Sequence, residues 1–300
     1  VELSAAGLSD IDWTLNLLKN CGSYLKWVSL HGYWDMVPEK NELANYTQCM
    51  AYTDQVDRAV KDVRGLLTAL HLEKNIKIAF DEWNLRSWHH PNVHTIQQGI
   101  DSYVTPRNKN DDNSSYTMAD AVFTACFLNA MNRNCDIVGM ANFAPILNTR
   151  GCIYSYKDGI VLRSTYHVFD LYVNYMGDLV LDDWQEGEHP KLTVTAKNGK
   201  QVTTELLDIV ATQHSENGMI SVSIVNKDPE HAQTLSICFD EMNLSFCQVQ
   251  EHRITGTDVD SYNDINHNEV MIETLPAKEI QGTYEAVLPA HSINVIDFKF

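Results

Sequence analysis

The apolar positions of the chain change period near residue 177. Before it, short apolar runs alternate with stretches whose apolar residues recur every three or four positions; beyond it, apolar and polar residues alternate singly. The first pattern predicts βα units around a parallel sheet and the second an antiparallel sandwich. A helix is predicted near Asp10 to Asn20, followed by a strand at Lys26–His31. Val56, Ala59, Val60, Val63, Leu67 and Leu70 fall on one stripe of a second helix. Ile76–Phe80 is a short apolar run followed by two acids, as expected of a buried parallel strand. A long polar excursion follows, tipped by residues 105–115, with the composition of a mobile lid. Thr117 and Asp120 then cap a very apolar helix running to about Arg133, which leads into a strand at Ile137–Phe143 and a closing helix at Val161–Tyr175. In the second part, Ile220–Ile224 and Leu235–Phe239 alternate, and Ile293–Phe300 reads as the last core strand.

The first part holds three and a half βα units, whereas an eightfold barrel needs about 250 residues. Parallel strands with unpaired edges and a one-sided core would be poorly protected, which favours half of a barrel over a small open sheet. The predicted fold class is therefore α/β plus all-β: about half of a (β/α)8 TIM barrel over residues 1–176, then an antiparallel, jelly-roll-like β-sandwich over residues 177–300. With 300 residues, 44% of them hydrophobic, the chain can bury a full core. Val1 is not a start methionine and no basic stretch leads into an apolar one, so the true N-terminus, with any targeting signal, is expected upstream.

The formal net charge of -18 disfavours nucleic acid and anionic membrane as partners and suits a neutral substrate. No apolar run reaches the roughly 18 to 20 residues that a membrane helix needs. Seven cysteines without CxxC spacing argue against a closed disulfide framework and mildly favour a reducing, cytoplasmic compartment over secretion.

Three predicted strand ends are rich in polar groups: His31-Gly32-Tyr33-Trp34, Asp81-Glu82-Trp83-Asn84, and Asn142 to Asn148. In a βα barrel the carboxyl ends of the strands build the active site. Glycoside hydrolysis with retention needs a carboxylate that attacks the anomeric carbon and a second, about 5 Å away, that protonates the leaving oxygen and then activates water. Glu82 among Tyr and Asn donors suits the first role, and the indoles of Trp34, Trp83 and Trp88 suit the apolar face of a sugar. His31 taken alone is more often a hydrogen-bonded core histidine. His89, His90 and His94 lack a patterned carboxylate or thiolate, so no metal site is expected. Trp27 and Trp184 are expected in core or interdomain packing.

Beyond those residues, Ser29-Leu30-His31-Gly32-Tyr33-Trp34, Ala79-Phe80-Asp81-Glu82-Trp83-Asn84 and Met140 to Gly151, in that order, resemble the α-L-arabinofuranosidases of glycoside hydrolase family 51 over nearly the whole chain. The resemblance implies a retaining enzyme that releases terminal non-reducing α-L-arabinofuranosyl groups from oligo- and polysaccharides, without a cofactor, and often as a homo-oligomer. It implies that Glu82 is the nucleophile, that Tyr33 hydrogen-bonds it, and that His31, Trp83, Asn84, Trp88 and Asn148 contribute to substrate binding. The acid/base glutamate of the family lies in an Asn-Glu pair upstream of residue 1; Asn41-Glu42 and Asn268-Glu269 do not replace it. Leu85-Arg86-Ser87 stand before Trp88, which leaves open which tryptophan lines the sugar pocket, and Pro145 stands where the family often has a glutamine. Two other readings are a related glycosidase acting on xylosides or glucans, and a non-catalytic carbohydrate-binding or structural piece.

Overall fold

The computed structural model describes residues 1–8, 10–33, 44–85, 112–195, 199–239 and 247–300, with the backbone alone for Tyr33. Four parallel strands, β1 (Ser4–Ala6), β2 (Trp27–Tyr33), β3 (Lys77–Asn84) and β4 (Val138–Phe143), pair in chain order. Helices α1 (Ile11–Cys21), α2 (Tyr46–Ala51), α3 (Gln55–Ala69) and α4 (Met118–Arg133) lie between them in sequence. Local signals fix the helix starts. Asp10 accepts the Trp13 N–H at α1, Asn45 and Gln48 form a capping box at α2, and Thr117 and Asp120 form another at α4. On α3, Val56, Val60, Val63 and Leu67 are buried, with Ala59 and Leu70 half-buried at the margin of the predicted stripe.

Several expectations need correction. Ser4–Ala6 adds a strand too short to show a period. The strand expected to stop at Phe80 continues to Asn84, so Glu82 lies within it. Val161 does not start a helix: β5 (Ile153–Tyr156) and β6 (Gly159–Leu162) form a hairpin, and the closing helix α5 runs from Ser164 to Tyr175. Residues 105–111 lie outside the described residues, and the remainder of the supposed lid is a tight turn at Asn113–Ser115 whose Asn113 and Ser115 are buried. Trp184, expected in packing, is 84% exposed.

The second part consists of β7 (Leu179–Leu181), β8 (Lys191–Thr195), β9 (Gln201–Glu205), β10 (Leu207–Gln213), β11 (Ile220–Asn226), β12 (Gln233–Ile237), β13 (Cys247–Thr255), β14 (Asn263–Asp264), β15 (His267–Asn268), β16 (Met271–Thr274), β17 (Lys278–Ile280), β18 (Tyr284–Leu288) and β19 (Ser292–Lys299). Its main sheet runs β16-β13-β19-β11-β10-β7, antiparallel throughout, with β17 also paired to β13. Strand alternation gives this sheet two buried faces. Ile296 and Phe298 of β19, with Ile224, pack against Leu235, Ala286 and Leu288 of the β12–β18 pair, making the sandwich core. Ile293, Val295 and Val225 point the other way, into the core shared with the helices and the parallel sheet.

Helix α4 accordingly has almost no exposed face, because the parallel sheet covers one side and the antiparallel sheet the other. Its polar residues are matched across that boundary. Asn129 donates to Asp208 Oδ1 at 2.9 Å and accepts from the Tyr172 hydroxyl at 2.7 Å, and Arg133 binds Asp208 at 2.7 Å and Asp57 at 3.0 Å. Burial works against the Arg133 charge, but Asp208 and Asp57 outweigh it and hold the guanidinium above its ordinary pKa. No helix of the described residues is long and apolar enough to cross a membrane.

Removing Arg133 leaves Asp208, whose side chain is 8% exposed, without its cation and with Asn129 as its remaining side-chain donor among the described residues. Arg133→Met is expected to destabilise the protein by about 3 kcal/mol, the lower end for a broken buried pair because the arginine is partly exposed; urea unfolding measures it.

Candidate active site

The site is built by a local irregularity in β3. Leu30 pairs with Phe80 but His31 pairs with Glu82, and on the other side Phe80 pairs with Ala141 while Trp83 pairs with Phe143. One extra residue therefore sits in β3 against both neighbours, at Asp81–Glu82, as in a β-bulge. In an unbroken strand Glu82 would share a face with Phe80. The insertion resets the alternation, so Asp81 and Glu82 both face away from the helices, their side chains 40% and 47% exposed, while Phe80 and Trp83 both point into the helix-side core.

His31 lies beside both acids, its Nε2 3.4 Å from Asp81 Oδ1 and its Nδ1 3.7 Å from Glu82 Oε2. These distances exceed those of good hydrogen bonds, so the imidazole lies against both carboxylates without fixing either. Asp81 Oδ1 also accepts the Ser29 hydroxyl at 2.6 Å. The side chain of Ser29 is thus the fixed point of the cluster, since it is buried on β2. Met140 and Asn142 of β4 complete the open face of the sheet. Gly32, between His31 and Tyr33, is required by packing: a Cβ there would lie 2.6 Å from the Phe127 ring.

Trp83 and Asn84 do not take the places expected of sugar contacts. Trp83 is fully buried, stacked on Phe127 at 4.0 Å and edge-on to Phe143 at 5.0 Å, and its Nε1–H has no hydrogen-bond partner among the described residues. The bulge sends it inward. Asn84 is 2% exposed and donates to the backbone carbonyls of Arg150 at 3.0 Å and Ala144 at 3.4 Å, so it fastens the loop after β4. Asn148 is partly exposed in that loop, has a φ of 53°, and accepts the Ser155 N–H at 2.8 Å, which makes it a turn residue. Tyr33 pairs with Asn84 in β2–β3 register. The Tyr33 side chain, Trp34, Trp88, Asn41-Glu42 and the three histidines 89, 90 and 94 lie outside the described residues. Among the described residues no group of three His, Cys, Asp or Glu side chains is placed to hold a metal ion.

Three contributors carried no role in the sequence reading. Asp81 was legible as an acid beside Glu82, but the sharing of one face by both acids depends on the bulge. Ser29 stood in a quoted motif without chemistry of its own. Arg163, 0% exposed, binds the loop after β4 and gave no signal at all, because its partners are mostly backbone carbonyls distant in sequence.

Residues 81–292 match the family described as the alpha-L-arabinofuranosidase C-terminal domain. Among curated proteins, an intracellular exo-alpha-L-arabinofuranosidase of Bacteroides ovatus is 24% identical over 98% of this chain and 55% of its own length. An exo-alpha-(1->6)-L-arabinofuranosidase of Bifidobacterium longum is 25% identical over 96% of this chain and 55% of its own. The chain thus spans about half the length of the curated relatives it matches. Among solved structures, an alpha-L-arabinofuranosidase from Thermotoga maritima in complex with arabinose superimposes with a TM-score of 0.80 at 23% identity, over 99% of this chain and 57% of that one, which establishes a shared fold.

The placement of Trp83 yields a test. Trp83→Ala is expected to destabilise the protein by about 3–5 kcal/mol through loss of a packed indole. A tryptophan that met sugar from the surface would instead leave urea unfolding unchanged and weaken substrate binding.

Proposed function

Since the chain belongs to the alpha-L-arabinofuranosidase C-terminal domain family, we propose that it carries the nucleophile of a retaining α-L-arabinofuranosidase of glycoside hydrolase family 51, and that this nucleophile is Glu82. The substrates are oligo- and polysaccharides bearing terminal non-reducing α-L-arabinofuranosyl groups. The observation that carries this reading is the β3 bulge, which turns Glu82 onto the open face beside His31 while both flanking aromatics are buried. A carboxylate exposed on one face and anchored from behind can approach an anomeric carbon without moving its strand.

In the proposed reaction Glu82 attacks the anomeric carbon and forms a glycosyl ester as the leaving oxygen takes a proton from a second carboxylic acid; water then cleaves the ester with that second group as base. Asp81 is poorly suited to be the second group. It shares Glu82's strand and is engaged by Ser29 and His31, whereas the acid/base must reach the sugar from another direction. The acid/base is therefore assigned to a glutamate preceding residue 1, which agrees with the chain spanning 55% of its first relatives. Residues 1–176 would form the C-terminal half of a (β/α)8 barrel and residues 177–300 the sandwich domain. In that arrangement the open face of β1–β4 looks into the barrel, and Tyr33, whose backbone pairs with Asn84 two residues beyond Glu82, is the proposed hydrogen-bond donor to Glu82. A cytoplasmic enzyme fits the intracellular Bacteroides relative. The 300-residue chain by itself would be inactive.

Hydrolysis of aryl α-L-arabinofuranosides and β-xylosides by the full-length protein, its Glu82→Ala variant and the 300-residue chain tests the proposal. The full-length protein is expected to prefer the arabinofuranoside, and the variant to lose activity on the order of 10⁴-fold. Azide should restore turnover in the variant and yield the glycosyl azide of inverted configuration. A Glu82→Ala variant with full activity would overturn the assignment.

A further inference from the structure

The loop after β4 has an unusual backbone. Asn148 and Thr149, consecutive and neither of them glycine, have φ values of 53° and 43°. Such a conformation persists where surrounding contacts impose it. The loop is tied internally by Asn148 N–H to Ile153 O at 2.8 Å and by Gly151 N–H to Asn148 O at 2.6 Å. Gly151 is obligatory, because a Cβ there would lie 2.5 Å from the Ile146 carbonyl oxygen.

Arg163, the residue before α5, holds the loop from beneath. It is fully buried, donating from Nη1 to the carbonyls of Thr149 at 2.6 Å and Gly151 at 2.9 Å and from Nε to Asn113 Oδ1 at 2.7 Å. Its guanidinium carbon lies 3.8 Å from the centroid of the Tyr116 ring and 4.9 Å from that of Tyr154. The planar fork and the stacking are features that lysine lacks. Between the two carbonyls gripped by Arg163 is the carbonyl of Arg150, which accepts from Asn84, two residues beyond Glu82 in β3. On the far side, Asn113 donates to Asp264 Oδ1 of β14 at 2.8 Å, and the Tyr156 hydroxyl donates to the same oxygen at 3.2 Å. Burial raises the Asp264 pKa, but the hydrogen bonds from Asn113, the Ile265 N–H and Tyr156 outweigh it and the net direction is downward, toward a carboxylate held as an acceptor.

We infer that Arg163 is a positioning residue: by gripping the carbonyls of Thr149 and Gly151 it presents the Arg150 carbonyl to Asn84, fixes the exit of the strand that carries Glu82, and ties that geometry through Asn113 to Asp264 of the antiparallel part. The inference rests on the reading of Glu82 as nucleophile. Under it, the second part of the chain is a support of the active site and not an appended module.

The test uses full-length protein with Arg163→Met, Arg163→Lys and Asp264→Asn, read by steady-state kinetics on an aryl α-L-arabinofuranoside and by amide hydrogen exchange. In Arg163→Met, kcat is expected to fall on the order of 10²-fold, as for a small misplacement of a reacting group, with KM changed less than about threefold. Exchange at Asn148, Gly151 and Ile153 should rise about tenfold or more while β11 and β19 stay protected. Arg163→Lys and Asp264→Asn should move both readouts less, in the same direction, and they carry the test if Arg163→Met does not fold. Unchanged exchange in the loop, or faster exchange with kcat unchanged, overturns the inference. An inactive parent protein would refute the proposed function instead, and exchange alone would then decide whether Arg163 is a clamp.

Discussion

Helix α4 is covered on nearly all sides, and this single condition shapes the molecule. A helix covered by two sheets must satisfy its polar groups within the protein, since an unpaired buried group costs about as much as several apolar contacts return. Thr117 and Asp120 close its N-terminus on themselves, Asn129 is held between Asp208 and Tyr172, and Arg133 at its other end reaches Asp208 and Asp57. Asp208 belongs to β10 of the antiparallel sheet and Asp57 to α3 beside the parallel sheet, so the end of one helix registers the two layers against each other.

The same helix supports β3, the strand that carries Glu82. Phe127 stacks on Trp83 and meets Phe80 edge-on at 5.3 Å, clamping the residues on either side of the bulge. Its ring also fills the space above Gly32, which is why β2 has no side chain there. With both aromatic neighbours held in the core, the extra residue at Asp81–Glu82 has one way to go, toward the open face where Ser29 and His31 meet it. The side chains that β3 exposes on one face are thus set by packing on the other.

Much of this was legible in the sequence. The change of period near residue 177 follows from alternation in strands and a 3.6-residue repeat in helices, and the cap at Thr117 and Asp120 is local chemistry. Glu82 stood out because two acids directly after a buried apolar run have no structural use in a core. The very apolar helix before Arg133 was also visible, although its composition alone did not say that two different sheets would cover it.

What composition and spacing left undecided depended on register between segments far apart in the chain. The β3 bulge exists relative to β2 and β4, and without it Trp83 and Glu82 would exchange faces; that is why an indole expected to meet sugar lies instead against Phe127. Asn84 and Asn148 read as polar candidates for a ligand, and became fastenings of a loop: Asn84 holds the Arg150 carbonyl, 66 residues distant and partly buried, and Asn148 holds the Ser155 N–H across the turn. Arg163 is the extreme case: its neighbours in sequence give it no role, and its function follows from backbone carbonyls that the fold brings to it. The sequence by itself determined most of the elements, where the chain changes architecture and which carboxylate is the candidate for chemistry. Tertiary structure decided which face each residue of β3 presents and what holds it there, because those outcomes are set by long-range pairing and the burial of hydrogen-bonding groups, neither of which is encoded at a single position.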